Sequence, residues 1–500
     1  MPFIDIQGDI PLDLDSFTTY QAYNILDSAV TAQLLPVIAS KLNEHHKSTY
    51  KREINVLALC LELSTKGFPI DQMCLAELLY QLEKDEAKAE KRLHLFCNAI
   101  GFRPINPRSP KDVADLFYTY LGLPEIYEYD KKTKSRKIST DIKALEKLRT
   151  NYPIAMPLVN SILACRETRK MASVFKRGLE PSRSVLRCNF SPSGTETGRL
   201  SSQQNPYGRG TNAQNLTDRV RQVVCAPPGF AILNFDLKTA ESLAVGYISG
   251  CKAYIEACLT GDLHTAVAKL NWKGLPWTGD LKRDQAIAER PYYRHFSYRD
   301  MAKRGGHGTN YYGTPRTMAI FLKLPTRILE EFQEAYFSAF PEIPEWHLDV
   351  IARIQREGVI TTALGRERRF WGRPDDAATH REAIAYEPQS LIGDIMNEGL
   401  IRAQDWLLKN APECSMVAQV HDAGVFICPI DGIDTIAREI QTRLLVPVDF
   451  GSLGEMVIPS DIMIGKRWNK KPKTGGDRYM KEGLVGWQPG DALPSIFSNE

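Results

Sequence analysis

Apolar positions recur with a helical period through the first third of this chain, then gather into strand-like runs in two later places. Residues 1–48 end in a predicted amphipathic helix, Tyr20 to Leu42, with Tyr23 and Asp27 (YNILD) one turn apart on a single face. From about Tyr50 to Phe175 the pattern is mainly helical. EINVLALCLELSTKG stops at Gly67 with Pro69 just beyond, and SPKDVADLFYTYLG opens at Ser109 with Pro110 in the first helical position. LAELLYQLEKDEAKAEKRLHLF alternates in charge sign, as a solvated face does. The basic patch KKTKSRK (131–137) reads as a solvated loop in preference to a phosphate contact.

Near Val185 the texture changes. Short β-type runs, SVLRCNF and FAILNFD, are separated by Gly/Ser/Asn-rich loops. Helices dominate again from about 240 to 410, and MVAQV followed by GVFIC predicts a β-hairpin. The stretch after Lys470 reads as irregular surface wrapping. No internal repeat or low-complexity block is present.

Composition narrows the class. At 500 residues, two or more subdomains are expected. With 43% hydrophobic and 25% charged residues, this is the composition of a soluble globular enzyme. The net charge of +3 neither demands nor excludes nucleic acid. The longest apolar runs fall well short of the ~20 residues that cross a bilayer. The start MPFIDIQGDI lacks the blocks of a signal peptide. Ten scattered cysteines without a CxxC pair predict reduced, buried thiols in a cytoplasmic compartment.

Two segments carry candidate metal chemistry. Phosphoryl transfer relies on divalent ions held by carboxylates, with magnesium taking oxygen ligands. FAILNFD is an apolar strand that stops at Asp236, and MVAQVHDAGVFIC is a hairpin tipped by His421 and Asp422, with Gly424 expected to allow the turn. Either alone reads as a cap or turn residue. A third segment joins them: RDMAKRGGHGTNYYG spaces Arg299, Lys303, His307 and Tyr311 by four, one stripe of a helix. Arg299 and Lys303 suit the phosphates of a nucleoside triphosphate, and Lys303 could protonate departing pyrophosphate. Tyr311 and His307 offer flat surfaces to bases. Gly305, Gly306 and Gly308 each cost a helix interior roughly 1 kcal/mol, which suggests close approach of a ligand or a bend.

In this order the three segments resemble motifs A, B and C of family A DNA polymerases, the polymerase I type. TETGRLSS (195–202), NAQNL (212–216), DLHTA (262–266), TALGRERRF (362–370) and REAIAYEPQ (381–389) resemble further elements of that family. GFPID, SPKDVADLF and TRKMASVF resemble its thumb. The resemblance covers nearly everything from 50 to 468.

It implies an α+β right-hand fold with helical thumb, split antiparallel-sheet palm and helical fingers. The implied divisions are an exonuclease-like remnant (1–48), thumb (49–185), palm (186–245), fingers (246–385), second palm part (386–470) and tail (471–500). Asp236 and Asp422, with the Leu237 carbonyl, would hold two Mg2+ ions, Mn2+ being a substitute. Arg199 and His264 would contact the nascent pair or triphosphate, and Arg299 and Lys303 the phosphates. Tyr311, with His307 beside it, would stack at the templating position. His421, Asn212 and Gln214 would touch DNA. Arg381 and Gln389, eight residues apart on one helix face, would check minor-groove acceptors. Glu241 matches the steric gate that excludes a ribose 2′-hydroxyl.

Departures from the family pattern are also clear. Ala423 replaces the acid that usually follows the motif C aspartate, Thr239 a Gln and Ala385 an Asn. His307 replaces an aromatic Phe or Tyr, and Tyr312 occupies a Gly site with Gly313 one step late. YNILDSAVTAQLL resembles the last motif of a proofreading exonuclease, but one carboxylate cannot hold two catalytic metals. No 3′→5′ exonuclease is therefore expected, and Tyr23 should simply be buried. A bacteriophage-type DNA polymerase is the expectation, working as a monomer on primer–template DNA and dNTPs in the cytoplasm, the host's if viral. A separate exonuclease chain or replisome subunit is a candidate partner, and a membrane is not. The rival readings are a single-subunit RNA polymerase, a weakly catalytic primer–template binding protein and a metal-dependent nuclease.

Overall fold

A computed structural model describes residues 16–130, 135–180, 184–205 and 207–497. The stretch MPFIDIQGDI and the first four residues of KKTKSRK lie outside them. The first helix, α1 (Ser16–Ala39), forms about where the periodicity places it. It does not bury Tyr23, which is 54% exposed, and Ile25, Leu26, Leu35 and Ile38 are exposed as well. These side chains point around the whole helix, so no single face is dry enough to pack. The expected amphipathic burial is thus absent.

Helix α2 (Glu44–Lys66) starts with a capping box between Asn43 and His46 and stops at Gly67, φ +68°. A Cβ at Gly67 would lie 2.6 Å from Val185 Cγ1, so the stop also lets a strand pass close by. Helices α3 (Gln72–Ala99, capped by Asp71) and α4 (Met156–Gly178) pack along each other as an arm. The outer half of the arm has its own core, including Leu93, Cys97, Phe117, Leu145 and Ile162, apart from the main one. Within it Ser109 caps the helix begun by Pro110, as expected, and the chain continues as a π-type segment, Asp115–Tyr120. The described end of the basic patch lies in Ser135–Ile138, which pairs antiparallel with Tyr127–Asp130.

The main core surrounds a five-stranded antiparallel sheet. Its central strand, β1 (Phe230–Leu237), buries Ala231, Ile232, Leu233 and Phe235 completely, which accounts for the unbroken apolar run. On one side stands the hairpin β2 (Ser415–Val420) and β3 (Ala423–Pro429), on the other β4 (Ser460–Gly465) and β5 (Val485–Gly486), in the order β2-β3-β1-β4-β5. The tail is more than surface wrapping. It supplies β5 and buries Tyr479, Leu484, Trp487 and Phe497.

Between β1 and β2 lie α5 (Ala240–Ser249), α6 (Leu263–Asn271), α7 (Tyr298–Asn310), α8 (Thr326–Ala339), α9 (Glu342–Glu357) and the long α10 (Ala377–Asn410). Helix α10 is tied to the arm's root through its fully buried Asp394, which pairs with Arg52 of α2 at 2.6 Å and Arg366 at 2.7 Å. All ten cysteines are free and nine are buried, matching the thiol expectation. Among the described residues no helix is long and apolar enough to cross a membrane.

Candidate active site

Sheet register brings the two distant aspartates together. Asp236 pairs across the ladder with Ala423, and the Leu237 amide donates to the Asp422 carbonyl at 2.9 Å. Asp236 opens on a cleft, yet its surroundings strip enough water to raise its carboxyl above the usual range. Asp422 and Asp461 push it the same way, while Lys470 and His421 oppose. Burial likewise raises Asp422, against the pull of Arg199 and with a push from Glu241.

The hairpin tip is made differently from the sequence expectation. His421, not Gly424, takes the left-handed conformation, φ +55°. Gly424 lies within β3, where a Cβ would meet Leu400 Cδ2 at 2.7 Å, so its small size serves packing against α10. The strained tip is pinned by Gln214, whose Oε1 accepts from the His421 amide at 2.9 Å and whose Nε2 donates to the Gln419 carbonyl at 3.1 Å. Asn212 Oδ1 accepts from the Gln214 amide at 2.9 Å and the Ser202 hydroxyl at 3.0 Å. Gln214 is thus engaged with protein at both ends of its side-chain amide, and Asn212 at its oxygen.

Arg299, Lys303 and His307 lie on α7 as predicted, while Tyr311 is the residue that ends it; the first turn is closed by a capping box between Ser297 and Asp300. Lys303 and His307 line a cavity of about 410 Å³ with Glu241, His264, Tyr254 and Asp422. Arg299 lines an adjoining cavity of about 260 Å³ with Asp236, Leu237, His264 and Asp461. Its guanidinium is held by Asp262 through two bonds of 3.1 and 3.0 Å. Burial works against the Asp262 charge, but Arg299 and Thr265 outweigh it and hold the carboxyl below its ordinary range. His264 sits between these cations. Burial first, then Arg299 and Lys303, lower its pKa to about 4, so it is neutral at ordinary pH.

The helix glycines admit close neighbours, and Gly306 also lines the 410 Å³ cavity. A Cβ on Gly305 would lie 2.6 Å from the Phe332 ring, on Gly306 3.3 Å from Tyr336, and on Gly308 2.8 Å from Met318. They let α7 settle onto α8 and its neighbours while the charged stripe faces the cleft.

Glu241 is not a free helix carboxylate. Its Oε1 accepts from Arg199 at 2.6 Å, its Oε2 from the Tyr311 hydroxyl at 2.8 Å, and His307 Nδ1 stands 3.9 Å away. Arg199 also reaches Asp422 at 3.4 Å, and its buried Nε has no partner among the described residues. Burial, then Glu241, hold the Tyr311 hydroxyl well above its ordinary pKa, and Gln389 reaches the same hydroxyl. Arg381, two turns earlier on α10, is exposed. Asp461 was missed in the sequence because it lies in a short run, PSDIMIG, that resembles any edge strand. Asp262 stood in view within DLHTA, but its pairing with Arg299 is long-range.

Among the described residues no three acidic, His or Cys side chains converge as a ready-made metal cage. The acidic donors near Asp236 and Asp422 are carboxylate oxygens, with the His264 imidazole lining both cavities. Carboxylate oxygens suit ions which keep their waters and take further oxygens from a substrate.

Comparison with known proteins matches residues 72–470 to the model for DNA polymerase family A. The thermostable DNA polymerase I of Thermus aquaticus is 26% identical over 400 residues, covering 76% of this chain and 44% of the relative. The DNA polymerase of Escherichia phage T5 is 26% identical over 472 residues, covering 87% of this chain and 54% of the relative. The chain thus spans about half the length of the curated relatives it matches. Among solved structures, the POL domain of Pol1 from M. smegmatis, in complex with DNA primer-template and dNTP, superposes with a TM-score of 0.68 at 22% identity. That match covers 83% of this chain and 70% of the other, and shares its mixed helix-and-sheet fold.

Proposed function

The chain belongs to DNA polymerase family A, and from that premise we propose that it extends DNA primers on a template. The observation that carries this is the pairing of the Asp236 and Asp422 strands beside the cationic stripe of α7. Asp236, Asp422 and the Leu237 carbonyl would hold two Mg2+ ions, or Mn2+ in their place. Such ions neutralise phosphate charge and keep attacking and leaving oxygens in line.

The remaining work falls to the chain itself. The primer 3′-hydroxyl attacks the α-phosphate of a dNTP and pyrophosphate leaves. Arg299, aimed by Asp262, and Lys303 bind the phosphates, and Lys303 gives a proton to the leaving group. His264, neutral, can accept or donate a hydrogen bond there without adding charge. Arg199 meets the nascent pair, where its unpartnered Nε has an acceptor to find. Tyr311, flanked by His307, stacks at the templating position, His421 meets the primer end, and Arg381 and Gln389 check the minor groove. Glu241, fixed by two hydrogen bonds, occupies the place of a 2′-hydroxyl. Asn212 and Gln214 act by holding the hairpin.

In the same reading the working unit is a monomer in the cytoplasm, the host's if the source is viral. A separate exonuclease chain or replisome subunit is a candidate partner. Primer extension with Mg2+ tests the proposal, comparing dNTPs with ribonucleotides. Template-coded extension restricted to dNTPs is expected. Tight duplex binding without extension would favour the binding-protein reading, and unprimed ribonucleotide incorporation the RNA polymerase one.

A further inference from the structure

The acid that the family places after the motif C aspartate is Ala423 here, a buried methyl group. Register shows what that position faces. Ala423, Asp236 and Asp461 form one row across β3, β1 and β4, Asp236 pairing directly with both. Directly opposed residues of an antiparallel ladder project to the same face, with Cβ atoms roughly 4.5–5.5 Å apart. A carboxylate at 423 would therefore flank Asp236 on one side, and Asp461 flanks it on the other.

Two carboxylates directly opposed in a ladder repel. Lys238, 3.6 Å from Asp461, offsets this only weakly, since both side chains are largely in solvent. Asp461 also lines the 260 Å³ cavity with Asp236, Leu237, His264 and Arg299, on the side where the phosphate-binding residues stand.

Resting on the polymerase reading, we propose that Asp461 supplies the accessory carboxylate missing at Ala423, from the opposite flank of Asp236. It steadies the divalent ion on the triphosphate side. Asp461 would hold the ion directly or through one of the waters that magnesium keeps.

The test titrates Mn2+ into the full chain bound to a dideoxy-terminated primer–template and matching dNTP, reading bound ion by EPR. Asp461→Asn should raise the half-saturating Mn2+ concentration about tenfold, the size of effect seen when a group orienting a metal site is lost. Adding Ala423→Glu should restore it to within about twofold, and Lys238→Met should not weaken binding. An unchanged half-saturation in Asp461→Asn would overturn the proposal. So would a loss in Lys238→Met as large as that in Asp461→Asn, because Asp461 would then only be pairing with Lys238. Primer extension by the unaltered chain reads the polymerase assignment separately, and failure there removes the proposal's footing.

Discussion

Tyr311 donates its hydroxyl hydrogen to Glu241 Oε2 across 2.8 Å while Arg199 holds the other oxygen at 2.6 Å. The carboxylate is therefore fixed in direction as well as place, as a steric gate must be. Glu241→Ala should raise ribonucleotide incorporation relative to dNTPs by about tenfold or more, each factor of ten being ~1.4 kcal/mol. Tyr311→Phe, which removes one of two clamps, should do less. Ratios of kcat/KM for matched dNTP and rNTP pairs decide it. Equal sugar selectivity in Glu241→Ala would remove the gate assignment.

Asp422→Asn keeps the shape of the hairpin tip and loses a charge. Extension should fall by about 10³-fold or more, as when a member of a catalytic unit is lost. Duplex affinity measured by anisotropy should stay within about twofold. In both proteins that affinity should fall with added salt as phosphate contacts are screened.

The pKa of His264, about 4 in the fold, lies below its ordinary 6.5. The unfolded chain thus binds a proton that the folded chain refuses. The stabilisation is complete above about pH 6.5 and is lost as pH falls through 4. Allowing for partial solvent access, about 1–2 kcal/mol is at stake. His264→Gln should flatten the stability profile between pH 6.5 and 4, as read by urea unfolding, and an unchanged slope would show that His264 is not desolvated.

Gly305 and Gly306 should separate cleanly. Gly305→Ala drives a methyl into the Phe332 ring and should destabilise by about 1–3 kcal/mol, despite the ~1 kcal/mol better helix propensity of alanine. Gly306→Ala, whose Cβ would meet Tyr336 at 3.3 Å, should be near neutral. Thermal melts of the two variants report it.

Gln214→Ala should lower kcat about tenfold with little change in dNTP KM, because it frees the left-handed turn at His421 while leaving the phosphate site alone. A change in KM with kcat intact would instead indicate direct contact with substrate.

Local chemistry explains what the sequence disclosed. Ser109 with Pro110, and the stop at Gly67, depend on neighbours within a turn, and both formed as expected. The apolar run into Asp236 revealed a buried strand for the same reason. Long-range partners stayed hidden. The glycines of α7 meet Phe332, Tyr336 and Met318, and Gln214 meets His421, on segments no local period connects. Tyr23 failed in the opposite sense: its helix forms, but a helix apolar on all sides does not specify what covers it.

The sheet order has a consequence for how the molecule comes into being. β1 must wait for β3 and β4, made much later in synthesis, before Asp236 gains either neighbour. On the proposed assignment, a nascent chain that has emerged only through α10 would be catalytically silent, however well its helices have formed. Cutting the link between α10 and β2 would yield two inert pieces, and any activity regained on mixing would rise with the product of their concentrations.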